Sequence, residues 1–145
     1  MALKGDRQVV ATESRFKASS TTMAAGGVVS LLAAASGTES TVSYATNPSG
    51  AYPIGVLLAP VGDYDWTDRP RYTEKLVLAY GEQVPLLTIG TINTNMVTGV
   101  PSLGEKAYLA ASGKFSNTQA AGALEVGQFT SNADADGYYY IDIRL

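Results

Sequence analysis

Between Leu103 and Phe129 the chain reads LGEKAYLAASGKFSNTQAAGALEVGQF, and glycines at 104, 113, 122 and 127 cut it into apolar runs of only a few residues. The runs Ala107 to Ala111 and Leu124 to Val126 are too short for helices but long enough for strands, so the stretch predicts a compact antiparallel β-unit. Its polar residues are of the types that satisfy turns and sheet rims, and none is a nucleophile with a base beside it. The stretch reads as structural rather than catalytic.

The rest of the chain follows the same pattern. The last strand, YYYIDIRL, alternates: Tyr139, Ile141, Ile143 and Leu145 share one face, with Tyr138, Tyr140, Asp142 and Arg144 on the other. Tyr52 to Val61 contains the near-continuous apolar run IGVLLAPV, which predicts a central strand, and Asn47-Pro48-Ser49-Gly50 before it is a turn signal. Leu76 to Tyr80, Val84 to Ile92, Lys106 to Ala110 and Val126 to Thr130 read as further strands, with a bulge at Gly90. The run from Gly27, VVSLLAAA, reads as strand or short helix, and strand followed by a turn at Ser36-Gly37-Thr38 is the preferred reading. Thr41 to Ala45 alternates with Val42 inward. At 145 residues, 46% hydrophobic and 16% charged, the chain suits one domain with a real core. The expected fold is all-β, a small single-domain β-barrel or β-sandwich.

Residues 1–22 differ from this body. They combine scattered charge with a Ser/Thr-rich end and offer only Val9, Val10 and Phe16 as apolar anchors, which predicts an extended amino-terminal arm ahead of a β-rich domain at 23–145. A competing reading makes Gln8 to Thr12 the first strand of the barrel. The arm is basic: Lys4, Arg7, Arg15 and Lys17 against Asp6 and Glu13 leave residues 1–17 at +2, and the whole chain carries −3. An acidic body without a basic stripe argues against nucleic acid as a partner.

Chemistry is excluded as much by what is missing. With no cysteine and no histidine, disulfides, the usual zinc sites, thiol chemistry and imidazole proton shuttles all fall away. No cofactor motif is present. The most apolar stretch, Met23 to Ala35, is interrupted by Gly26, Gly27 and Ser30 and is too short to span a bilayer, so no membrane association is expected.

Three motifs remain. Asn132-Ala-Asp134-Ala-Asp136-Gly137 has the spacing of a calcium loop, but position 1 is Asn and position 12 is Ile143 instead of a bidentate Glu. Asp-Gly between two strands reads instead as a hairpin turn. Asp63, Asp65 and Asp68 lie beside Arg69 and Arg71, which would hold them ionised and unsuited to a general acid. The same long polar loop, 62–75, carries Tyr64, Trp66 and Tyr72, residue types that build a stacking shelf for a sugar or an anchor for a protein. Ser14-Arg-Phe-Lys17 matches S-x-x-K without its companion motifs and reads as chance.

Taken in order, Gly26-Gly27-Val-Val, Pro53-Ile54-Gly55-Val56-Leu57, Glu82-Gln83-Val84-Pro85, Gly104-Glu105-Lys106-Ala107-Tyr108-Leu109 with Gly113-Lys114-Phe115, and Val126-Gly127-Gln128-Phe129 resemble tailed-phage head decoration (cement) proteins over residues 26–145. The resemblance implies a homotrimer on the outer surface of the virion capsid. It would sit at three-fold and quasi-three-fold positions and clamp neighbouring subunits of the major capsid protein, with no catalytic, cofactor or metal site. The 62–75 loop lies outside the resemblance. On this reading Lys4, Arg7, Val9, Val10, Arg15 and Phe16 are the expected capsid-binding residues, and Tyr64, Trp66, Arg69, Arg71 and Tyr72 a second interface. The alternative is a phage spike or fibre domain that holds host-surface glycans on its aromatic loop.

Overall fold

The computed structural model describes residues 3, 8–13, 17–18, 23–31, 41–58, 61–62, 78–79 and 84–145. Among the described residues it is all-β, apart from a 3-10 turn at Ala111–Gly113. In chain order the strands are β1 (Gln8–Glu13), β2 (Lys17–Ala18), β3 (Val28–Leu31), β4 (Thr41–Ser43), β5 (Tyr52–Leu57), β6 (Val61–Gly62), β7 (Leu78–Ala79), β8 (Leu86–Thr94), β9 (Val97–Thr98), β10 (Lys106–Leu109), β11 (Phe115–Ser116), β12 (Glu125–Phe129) and β13 (Tyr139–Arg144). Eleven of them form one sheet in the order β2-β4-β3-β5-β8-β13-β12-β10-β11-β9, with β1 added to β8. β6 and β7 pair separately and in parallel.

β8 is the hub. Its residues 89–94 pair with β13 and its residues 86–87 with β5, while β1 pairs with residues 86–91. A strand has two edges, so the shared positions put β1 along one edge and β5 and β13 end to end along the other. Two limbs therefore leave the same side of β8: β5-β3-β4-β2 and β13-β12-β10-β11-β9.

Connectivity bends the first limb. β1 and β2 lie five strand spacings apart in sheet order, roughly 24 Å if the sheet were flat. Only residues 14–16 join Glu13 to Lys17, a reach of at most about 14 Å. The limb must curl until its edge returns toward β1, which gives the half-barrel shape.

The core explains the two sequence patterns. Val28, Val56, Leu87 and Ile92 face Leu109, Phe115, Phe129, Ile141 and Ile143 in one buried cluster, where Phe129 and Tyr139 meet edge to face at 5.7 Å. Their chain neighbours Val29, Leu57 and Leu86 join Val42 and Met23 in a second cluster. β3, β5 and the start of β8 are thus buried on both faces and need unbroken apolar runs, whereas β13 buries one face and alternates. Fully burying a side chain of this kind is worth about 1.5–3 kcal/mol, so these few layers carry much of the fold's stability.

Tyr44 ties the two limbs together. Its hydroxyl accepts the Gly27 N–H at 3.2 Å and donates to the Ala24 carbonyl, and the Ala45 carbonyl accepts the Ser112 N–H at 2.8 Å. Gly27 and Gly113 lack the Cβ atoms that would collide with the ring.

Most expected strands are present, with revised ends. The predicted strand Tyr52 to Val61 stops at Leu57, and Val61 belongs to the separate β6. Val84 to Ile92 starts later and runs to Thr94. Leu103 to Phe129 forms the antiparallel unit β11-β10-β12, and Val42 points inward. The Gly90 irregularity is real, but the extra residue opposite it is Val10 on β1, and a second, Thr88 on β8, restores the register. Leu145 departs from expectation: it is 36% exposed, because it lies past the end of β13, where its N–H meets the Thr88 carbonyl at 2.8 Å. The turn at 36–38 and the 63–75 part of the long loop lie outside the described residues.

Candidate functional site

The Asp134–Gly137 segment is built as a hairpin turn. One Asp134 carboxylate oxygen accepts the Asp136 and Tyr138 N–H groups, each at 2.9 Å, and the Asp134 N–H reaches the Tyr138 carbonyl at 3.0 Å. The spacing that mimics a calcium loop thus serves the backbone. No group of three or more His, Cys, Asp or Glu that could hold a metal is found among the described residues.

A groove of about 240 Å³ crosses the outer face of β10, β12 and β13, lined by Lys106, Glu125, Gly127, Gln128 and Arg144. Its charges are already engaged: Lys106 pairs with Glu125 at 3.2 Å and Arg144 with Asp142 at 2.9 Å. It has the chemistry of an ion-paired sheet surface. Exposed pairs like these contribute about 0–1 kcal/mol each.

Tyr44, whose titration is strongly shifted, is structural as well. Burial pushes the Tyr44 hydroxyl well above the ordinary phenol range, and the Gly27 N–H donated to it opposes this only in part. It stays a neutral donor and acceptor at physiological pH.

The surface with binding character is the β1 edge. Val9 is 47% and Val10 66% exposed, with Ile89, 44% exposed, next to them on β8 and Leu145 beyond it, across the far edge of β8. β1 is held to β8 by main-chain bonds and by the Thr88 hydroxyl, which donates to the Ala11 carbonyl at 3.2 Å. Its other edge has no partner among the described residues. Ahead of it Leu3, 4% exposed, bridges to Thr94 and sits in the larger core cluster. Among its described residues the amino-terminal segment is anchored at buried Leu3 and paired over Gln8–Glu13, where Val9 and Val10 stand exposed beside exposed Gln8 and Thr12.

Of the residues expected to bind, Val9 and Val10 are exposed on this edge. Lys4, Arg7, Arg15 and Phe16 lie outside the described residues, as do Tyr64, Trp66, Arg69, Arg71 and Tyr72. Sequence reasoning missed Ile89 and Leu145 as their neighbours, because Ile89 lies in an unbroken apolar run and Leu145 on an alternating face that predicts burial.

Residues 3–144 match the family described as structural cement protein (E217 gp24/Pam3 gp6). No curated protein matches the chain.

Proposed function

The chain belongs to the structural cement protein family, and from that premise we propose that it binds the outer surface of a phage head as a homotrimer and reinforces contacts between subunits of the major capsid protein. Family membership implies a non-enzymatic role in association with the capsid. The observation that carries the finer reading is the β1 edge, where Val9 and Val10 stand exposed on a strand with one edge unpaired among the described residues. Such an edge takes up an extended segment of another protein through main-chain hydrogen bonds, with the valines adding apolar contact. Lys4, Arg7, Arg15 and Phe16 would extend the contact along the same arm, with the 62–75 loop as a second interface. Three linked arms raise the effective concentration of each later attachment, so weak single contacts become a slowly reversible whole.

The test uses phage heads assembled without this protein. Wild-type protein should saturate them and raise the temperature at which they release DNA. Val9→Ser together with Val10→Ser leaves the core, including the Leu3 anchor, intact and should lower occupancy roughly tenfold. Full occupancy by the double variant would move attachment away from the arm. A monomer in solution and on the particle would remove the trimer.

A further inference from the structure

The loop from Gly99 to Glu105 joins β9 to β10 and carries the most exposed aliphatic side chain described, Val100 at 82%, with Leu103 at 63%. An aliphatic pair in solvent is unremarkable on a floppy loop, but this loop is held from several directions. The Glu105 carboxylate accepts the Ser102 N–H at 2.6 Å and the Asn117 side-chain amide at 3.0 Å. Asn132 accepts the Leu103 N–H at 2.9 Å, Gln128 donates to the Gly104 carbonyl at 3.0 Å, and the Gly104 N–H reaches the Phe129 carbonyl at 2.8 Å. Pro101 is buried between the two aliphatics, and Gly99 (φ +83) and Gly104 (φ +90) close the loop in a conformation that other residues rarely adopt. The backbone that carries Val100 and Leu103 is thus held in place before binding, which leaves mainly the side-chain rotamers to be ordered.

The charge around them points to what they meet. Glu105 lies within the loop, and Asn132 connects it to the turn that carries exposed Asp134 and Asp136. Lys106, the adjacent cation, is paired with Glu125. The surroundings are acidic, so two copies of this face would bring carboxylates against carboxylates, whereas a basic rim would complement it.

We infer that the 99–105 loop is a preformed apolar knob that seats in a socket on the head shell protein, lined by aliphatic side chains and rimmed by lysine or arginine. This rests on the cement reading, and adds a further contact to those proposed above, preformed where the arm is a strand addition.

The experiment compares wild-type protein with Val100→Ser/Leu103→Ser on heads assembled without it, by co-sedimentation at low and moderate salt. The variant should keep its melting temperature and oligomeric state, since both side chains are exposed, and should bind roughly tenfold more weakly. Wild-type binding should weaken with added salt, and Asp134→Asn/Asp136→Asn should reduce that dependence. Equal binding by wild type and the serine variant overturns the knob while leaving the cement reading in place. A variant that falls apart into smaller oligomers also overturns it, because the loop would then face a second copy. Failure of the wild type itself to bind heads overturns the reading beneath.

Discussion

The ring of Tyr44 occupies the space that a side chain on Gly113 would need. A Cβ there would overlap the ring edge and come within 2.8 Å of the Val28 carbonyl oxygen, and Gly113 has φ +74, so both space and backbone demand glycine. Gly113→Ala should therefore destabilise the protein by about 2–4 kcal/mol in urea unfolding. Gly137→Ala, at φ +80 with open space around it, should cost only about 1 kcal/mol. Similar costs at the two sites would show that the ring moves aside freely.

Replacing the Tyr44 hydroxyl has a pH signature. Tyr44→Phe leaves the Gly27 N–H and the Ala24 carbonyl without this partner and should cost about 1–3 kcal/mol at neutral pH. In the wild type the folded-state pKa lies above the unfolded value of 10.0, because burial disfavours the phenolate. The contribution is therefore full below pH 10 and lost as pH rises toward the folded value. Urea titrations from pH 7 to 11 should show the gap between wild type and Tyr44→Phe narrowing only above pH 10. A gap constant to pH 11 would contradict this.

Gly90→Ala should loosen β1 selectively. A Cβ at Gly90 would overlap the Gln8 carbonyl oxygen, at a φ of +151 that other residues rarely adopt. Amide exchange over Gln8–Glu13 should speed up on the order of tenfold while β12 and β10 keep their protection. Uniform acceleration across the sheet would show that the strain falls on the body instead.

Ser30 sits on β3 at 1% exposure with its hydroxyl unpartnered among the described residues. Removing an unsatisfied buried hydroxyl relieves a desolvation cost, so Ser30→Ala should leave stability unchanged or raise it by up to about 1 kcal/mol. A clear loss in melting temperature would mean that the hydroxyl is in use.

The legible parts of the fold were those where one residue's period reports one environment. β13 could be read because a single buried face forces Tyr139, Ile141 and Ile143 into alternation, and β5 because burial on both faces forces an unbroken run. β9 and β11, two residues each, carry no period at all. The pairing of β1 was undecidable because adjacent Val9 and Val10 define no inward face, and its main-chain bonds leave no mark on residue type. The Tyr44 lock joins positions 27, 44 and 113, which only the folded sheet brings together. For the site, Val9 and Val10 could be singled out as apolar residues in a polar arm. Val100 and Leu103 could not, since most of the bonds that stiffen their loop come from residues distant in sequence, Asn117, Gln128, Phe129 and Asn132.

The position of β8 sets a timetable for synthesis. β1 is made more than seventy residues ahead of its partners Leu86 to Thr91, and the β13 residues that share the other edge of β8 follow later still. β2, β3, β4 and β5 can pair among themselves early, but β1 cannot, so the nascent chain carries an unmatched QVVATE segment until β8 has been made. Pairings so distant in sequence make for slow folding. A polysome slowed or truncated before residue 139 would release a chain whose hub strand lacks β13, and such fragments should aggregate where the full-length protein folds.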